Sequence, residues 1–435
     1  MESMKNNILE NYFLVLFAFI PISIILGPAI SLSNILLIDL SFIIFALNNK
    51  KIFFSKDYTV KIMLLLLVYL IFNSIISLDS SIGAFRNFGF IRFIILFMAF
   101  NYFFYDENFF NKVIFAWSII LLIVVFDVYV ERFTGTNVLG FGAMYIDGIE
   151  QPNGKRVVSF FIDEPIVGSY INAFYLIIVG FLFSLSRIFS KKYKNIIFVI
   201  SIFFILSILL TGERSNTIKA FSGFFIFYFL NDFFKLRKKI IFIFSLFILI
   251  GFFYNGSEFL KMRYTDQFIN PILSLFESEG NKTEGNKTKV LNPNMHIKEN
   301  LYFKLYHSGF SVFKKYPLFG VGNKNYRIEA CSDKDLKYIC NTHPHQTYVE
   351  LLAEHGLIGG ILLLSILFSL ILKETKIIFK SKNYIQIGCL LYLLTPFIPL
   401  LPSGAFFSDF NITLFCVNLS LMYSVNKKTN IYSSK

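Results

Sequence analysis

Apolar runs of about 15 to 22 residues, each long enough for a helix to cross a bilayer, follow one another along most of the chain, separated by short polar or charged stretches. They predict spans at roughly 12–32, 34–48, 59–78, 85–105, 113–130, 166–186, 196–211, 217–234, 240–254, 356–372, 384–401 and 405–424. The expected architecture is an all-α polytopic membrane protein of about twelve transmembrane helices. Residues 1–254 carry spans one to nine with a loop near 131–165, and 356–435 carry spans ten to twelve and a tail. Between them, 255–355 forms one large polar segment with short helices of its own, because Leu301, Leu305, Phe310 and Phe313 recur at near-helical spacing. The run Glu279-Gly280-Asn281-Lys282-Thr283 is repeated at once as Glu284-Gly285-Asn286-Lys287-Thr288, which predicts a flexible tongue near 278–290.

Charge supplies the orientation. Five lysine-rich clusters, Lys50-Lys51-Lys56, Lys191-Lys192-Lys194, Lys235 to Lys239, Lys373 to Lys382 and Lys427-Lys428, sit between or after spans. With both termini in the cytoplasm and twelve crossings, every cluster falls inside, as the positive-inside rule requires. The same parity places 131–165, the turn around Arg214 and the whole of 255–355 on the outer side of the membrane. The first span has no small-residue cleavage site after it and is expected to be retained.

Composition agrees: 55% hydrophobic and 16% charged excludes an ordinary soluble domain. The net charge of +13 would suggest nucleic acid in a soluble protein, but here the basic residues flank spans and fix topology, so no nucleic-acid partner is expected. The 57 phenylalanines are read as packing and lipid-facing material.

All five histidines, His296, His307, His343, His345 and His355, fall in the large polar segment. Proline favours the first position of a helix, so Pro344 predicts a helix start that seats His345 in its first turn. There the positive helix terminus would keep its imidazole neutral and able to act as a base; the plainer alternative is a histidine that caps or packs the start. Two cysteines, Cys331 and Cys340, share the segment, and in an oxidising compartment they suggest a local disulfide. A zinc site with His343 and His345 is the rival reading, with spacing that fits no common finger.

Arginines away from the lysine clusters are few: Arg132, Arg156, Arg214, Arg263 and Arg327, with Arg86 and Arg92 about the fourth span. A planar guanidinium suits phosphate oxygens. Arg214, in Thr211-Gly212-Glu213-Arg214-Ser215, ends an apolar span, where a charge needs a partner or a task. A salt bridge with Glu213, or snorkelling to the interface, would also account for it.

His345-Gln346 followed by nine residues and Gly356-Leu357-Ile358-Gly359 resembles the His-(Asn/Ser/Gln)-x9-Gly-x-x-Gly signature of the O-antigen ligase and polymerase superfamily. Tyr316 to Asn323 with Tyr326-Arg327, the run around Arg214, Arg156 to Tyr170, and Pro402 to Phe407 resemble further family segments, in the right order. The resemblance implies a metal- and cofactor-independent glycosyltransferase of the membrane, whose donor is an undecaprenyl-diphosphate-linked glycan. It implies His345 as base, Arg214 as the principal diphosphate ligand, and Arg156, Arg263 and Arg327 as further ligands. Glu164 would orient an arginine or contact sugar, and His343 and Gln346 would line the substrate. A ligase would take lipid A core as acceptor; a polymerase, the alternative, would take a second lipid-linked glycan. The intact histidine motif favours the ligase. A secondary transporter is a more distant reading, weakened by the absence of a half-to-half repeat and by few carboxylates in spans, chiefly Asp39, Asp127 and Asp409.

Overall fold

The structure is a computed structural model that describes residues 2–48, 57–142, 145–146, 149–150, 156–162, 164–185, 191–270, 301–332 and 339–433. The tandem repeat at 279–288, His296 and Lys50-Lys51-Lys56 lie outside the described residues. Apart from two-residue antiparallel strands at Tyr145–Ile146 and Ile149–Glu150, the regular elements described are helical. An apolar environment offers the backbone no other hydrogen-bond partner, so long apolar runs must bond internally.

Among the described residues, seven helices are long and apolar enough to cross a membrane: Ile8–Ile25, Pro28–Asn48, Tyr58–Ile75, Ser80–Phe103, Glu107–Thr134, Val167–Leu185 and Thr347–Ser381. Leu236–Asn255 joins them only with Glu258–Ile269, across a 104° bend, and Asn195–Leu210 and Tyr384–Phe397 are shorter apolar helices. The remaining expected spans are also helical, as Arg214–Leu230 and Asp409–Ser424. Every predicted span is therefore helical, but length alone certifies seven or eight, because polar turns cut the others below a full crossing.

Helix starts follow local chemistry. Asp57 accepts from the Thr59 N–H (2.7 Å), Asp106 from the Phe109 N–H (2.8 Å) and Ser408 from the Asn411 N–H (3.2 Å), each satisfying one orphan donor of a first turn.

Val167–Leu185 is the centre of the bundle, with 83% of its span buried against 33–56% for the other six. It meets Tyr384–Leu394 through reciprocal glycines. A Cβ on Gly180 would stand 2.7 Å from the Tyr384 carbonyl, and one on Gly388 would stand 2.7 Å from the Leu176 carbonyl oxygen. Inside a bilayer helices gain from close van der Waals packing, so small residues at the contact hold this pair together. Phenylalanine serves both expected purposes. Phe13, Phe17, Phe100, Phe103 and Phe109 interlock in the core, with Trp117 donating to the Phe17 carbonyl at 2.9 Å, whereas Phe115, Phe126 and Phe133 face outward.

Basic segments meet at one end of the bundle. Lys373 donates to Asp57 (3.2 Å) and Thr59 (2.7 Å), Lys382 pairs with Asp232, and Lys427 lies over Tyr105.

The Thr347 helix breaks at Gly356, whose φ of 65° and ψ of −169° are open to glycine. A break inside an apolar helix frees carbonyls before it and N–H groups after it, and the Tyr316–Asn323 segment satisfies both. Val321 and Gly322 N–H donate to the Ala353 and Glu354 carbonyls (3.0 and 2.8 Å). Leu357 and Ile358 N–H in turn donate to the Pro317 and Leu318 carbonyls (2.8 and 3.0 Å). A Cβ at Gly356 would stand 2.3 Å from the Leu318 carbonyl carbon, and one at Gly359 would stand 2.1 Å from the Tyr69 hydroxyl. The Gly-x-x-Gly half of the motif thus builds a broken helix, and buried His355 lies at the break with Nδ1 3.0 Å from the Tyr69 hydroxyl.

The segment continues into a buried amide network. Asn323 N–H donates to Asn73 (2.8 Å), its side-chain amide donates to Asn87 (2.6 Å), and Asp79 N–H donates to Asn325 (2.7 Å). The polar segment is thereby locked onto the helix ends opposite the lysines.

Candidate active site

The Asn341–Gln346 stretch is held from four directions. A Cys331–Cys340 disulfide closes the chain just before it. Pro344 packs against Gly309 of the Leu301–Lys315 helix, where an added Cβ would stand 2.8 Å from the proline ring. The His345 carbonyl accepts the Ser403 N–H at 2.8 Å, and Gln346 caps the following helix by accepting the Val349 N–H at 2.8 Å.

This corrects the expected helix start. The helix begins at Thr347, and His345 precedes its cap with a positive φ of 58°. Proline's preference for a first helical position yields here to the capping power of Gln346. The imidazole's neutrality consequently has another cause. Burial lowers the His345 pKa from its ordinary value, against an opposing main-chain hydrogen bond at Ser403. His343, 4.0 Å away between ring centroids, is lowered to about 4, by burial first and by the His345 charge second. Both rings are therefore neutral at pH 7. Gln346 is engaged as a cap and is buried.

The arginines build a second group around the Thr211–Ser215 turn. Gly212, with φ of 74° and Phe259 filling the place of a side chain, exposes its carbonyl to the Arg263 guanidinium. Arg263 donates to it through Nε (3.2 Å) and Nη2 (3.1 Å), and through Nη1 to the Gln267 side chain (2.6 Å). Arg214 donates to the Gln267 carbonyl from the first turn of its helix. Arg156 lies over the same turn, its Cγ 3.7 Å from the Gly212 Cβ position, and Val157 N–H bonds the Thr211 carbonyl at 3.2 Å. Behind Arg156, Glu131 accepts the Val158 and Ser159 N–H groups (2.9 and 2.5 Å), and Asp127 accepts the Ser159 hydroxyl (2.5 Å).

Arg214 and Arg156 are close enough to act electrostatically on Arg263. Glu213, the nearest acid in sequence, does not form the salt bridge with Arg214 that was the alternative account of that arginine. Its oxygens accept from Gly168 N–H (2.6 Å) and from Asn216 (2.6 Å), which ties the turn to the central helix. Three guanidinium groups thus gather at this turn, with buried Glu213 within electrostatic reach of Arg156.

Tyr302 joins the two groups. Its ring stands edge-on to His345, with centroids 6.2 Å apart, and its phenol lies within electrostatic reach of Arg263. No local pattern marks this tyrosine, since only the folded Leu301–Lys315 helix brings it there. Gln267, the shared acceptor for two arginines, was also missed; its position four residues after Arg263 is the signal that could have revealed it.

Two expected ligands lie elsewhere. Exposed Arg327 shares its surroundings with Lys324, Arg86 and Asp409. Glu164 lines a cavity together with Arg92 and Asp409. Among the described residues there is no group of three histidine, cysteine or acidic side chains that could hold a metal ion, and the two thiols of the zinc reading are joined in the disulfide.

A bundle of apolar helices with a cationic cluster and neutral histidines at a polar end describes a multi-pass membrane protein. Residues 197–364 match the family model described as O-antigen ligase, a stretch that includes Arg214, Arg263, Arg327, His343, His345 and Gln346. The match supports the O-antigen ligase and polymerase superfamily over that stretch. No curated protein matches it in sequence.

Proposed function

We propose that this protein transfers a glycan from an undecaprenyl-diphosphate-linked donor to a sugar hydroxyl of lipid A core, at the periplasmic face of the bacterial inner membrane. The single observation that carries the reading is the convergence of Arg156, Arg214 and Arg263 on one turn, bridged by Tyr302 to His345. In the proposed topology twelve spans cross the membrane, both termini are cytoplasmic, and 131–165 and 255–355 are periplasmic. The meeting of basic segments at the opposite end of the bundle supports that orientation.

In the reaction, the acceptor hydroxyl attacks the anomeric carbon of the donor glycan. The new C–O bond forms as the bond from that carbon to the diphosphate breaks, and undecaprenyl diphosphate leaves with the bonding pair. His345, neutral through burial, receives the hydroxyl proton. The guanidinium groups stabilise charge as it develops on the diphosphate, which is where preorganised donors lower a barrier most. Asp127 is engaged with Ser159 and Asp409 with two arginines, which occupies two of the three in-span carboxylates, while buried Asp39 has no hydrogen-bond partner among the described residues.

The test is reconstitution of the purified protein with undecaprenyl-diphosphate-linked glycan, offering lipid A core or a second lipid-linked repeat. Glycan joined to core supports the ligase; a lengthened lipid-linked chain identifies a polymerase; no glycosyl product with either acceptor defeats the reading.

A further inference from the structure

A second polar site lies apart from the arginine cluster around Gly212. A cavity of about 220 Å³ opens where the ends of three helices meet the Phe161–Ile166 loop. One wall is apolar, with Leu26, Leu32 and Ile35, and the first two of these are also exposed on the outside of the bundle. The opposite wall carries Arg92, Asp409 and Glu164.

The charges there are arranged asymmetrically. Arg92 donates to one Asp409 oxygen at 2.8 Å and Arg86 to the other at 3.3 Å, and the buried Nε of Arg92 has no partner among the described residues. Glu164 is exposed at the cavity, and its carboxylate has no hydrogen-bond partner among the described residues. The charged residues lining the cavity are Arg92, Asp409 and Glu164, with Arg92 already paired to Asp409, so a simple anion gains little net attraction. A zwitterion gains at both ends, with its negative group on Arg92 and its positive group on Glu164. The apolar wall, open to the outside of the bundle, calls for a ligand with a hydrocarbon chain.

We propose that this cavity binds a phosphoethanolamine phospholipid, with its phosphate on Arg92, its ammonium on Glu164 and an acyl chain along Leu26, Leu32 and Ile35. A primary ammonium donates hydrogen bonds to a carboxylate, whereas a trimethylammonium cannot, so the site selects phosphatidylethanolamine over phosphatidylcholine. This assignment stands on the cavity alone and does not depend on the glycosyl-transfer reading.

The experiment titrates the full-length protein in detergent with phosphatidylethanolamine, phosphatidylcholine and phosphatidylglycerol of matched chains, and measures bound lipid by native mass spectrometry. The expected result is about tenfold tighter binding of phosphatidylethanolamine than of either other lipid, the scale of one hydrogen bond between charged groups. Glu164→Gln, a surface change that leaves the fold intact, should lower phosphatidylethanolamine to the level of phosphatidylcholine and leave phosphatidylcholine unchanged. Leu32→Trp, which fills the apolar wall, should weaken all three. Equal binding of the three lipids by the unmodified protein, or a preference that survives Glu164→Gln, would overturn the proposal.

Discussion

Replacing Gly356 by alanine strikes the broken helix on which the histidine segment is built. The native φ and ψ of 65° and −169° lie in a region that is essentially glycine-only, and holding alanine there costs about 1–3 kcal/mol. The new Cβ would also stand 2.3 Å from the Leu318 carbonyl carbon, so the Tyr316–Asn323 segment must move away. That motion strains the main-chain bonds across the break, each contributing about 1 kcal/mol net. Loss of two to four of them brings the total to roughly 3–7 kcal/mol. Thermal unfolding in detergent should show Gly356→Ala melting several degrees below the unmodified protein. Gly320→Ala provides an internal control, because its Cβ would stand 2.4 Å from the Glu354 carbonyl carbon on the other side of the same contact. The double variant should lose less than the sum of the single losses, since both break the same interface. A Gly356→Ala protein that melts with the unmodified one, or strictly additive losses, would show that the segment does not depend on the break.

Arg214→Lys keeps the charge but loses the planar fork, and should reduce turnover of a lipid-diphosphate donor by about tenfold or more, measured as initial rate at saturating acceptor. Because burial lowers the His345 pKa, its imidazole is neutral at pH 7 and becomes protonated only below the ordinary histidine range. Transfer should be flat from pH 7 upward and fall on acidification below about 6.5, a limb read from a pH–rate profile and absent from the residual activity of His345→Ala. The same sign applies to stability: a group whose folded pKa is depressed below its unfolded value favours unfolding once the unfolded form takes up the proton. Melting temperature should therefore drop between pH 6.5 and 4 as His343 titrates. With Cys331 and Cys340 joined and Cys389 and Cys416 buried, maleimide should label none of the four in the folded, unreduced protein, and two after mild reduction. Removing the disulfide by Cys331→Ser should destabilise the loop by roughly 2–3 kcal/mol, read as faster proteolysis near residue 340.

Much of this was legible because hydropathy and lysine placement act over short distances. Helices formed in every predicted apolar run, and Lys373 meets Asp57, 316 residues away, at one end of the bundle. Arg214 stood out as a charge at the end of an apolar run, and the Gly212 turn beside it is where the arginines gather. What the sequence could not show was long-range. Arg263 is 51 residues from Gly212, and Tyr302 meets His345 only through the packing of its helix. Arg327 looked equivalent to Arg263 as an isolated arginine in the polar segment, yet the Asn323–Asn325 network fixes its helix beside Arg86 and Lys324. At Pro344 two local preferences competed, and the Gln346 cap prevailed. The Gly-x-x-Gly motif, in turn, was recognisable by resemblance, whereas its physical reason, a helix broken at Gly356 and completed by another segment, required the fold.

The central claim is that Arg214 and Arg263 hold the donor diphosphate while His345 acts on the acceptor. It is tested most directly by equilibrium binding of undecaprenyl diphosphate to the purified protein, to an Arg214→Gln/Arg263→Gln double variant and to His345→Ala. Two charged hydrogen-bond donors lost together predict an affinity drop of about a hundredfold or more for the double variant. His345→Ala should bind as tightly as the unmodified protein while failing to transfer glycan. Unchanged affinity in a folded double variant would contradict the account.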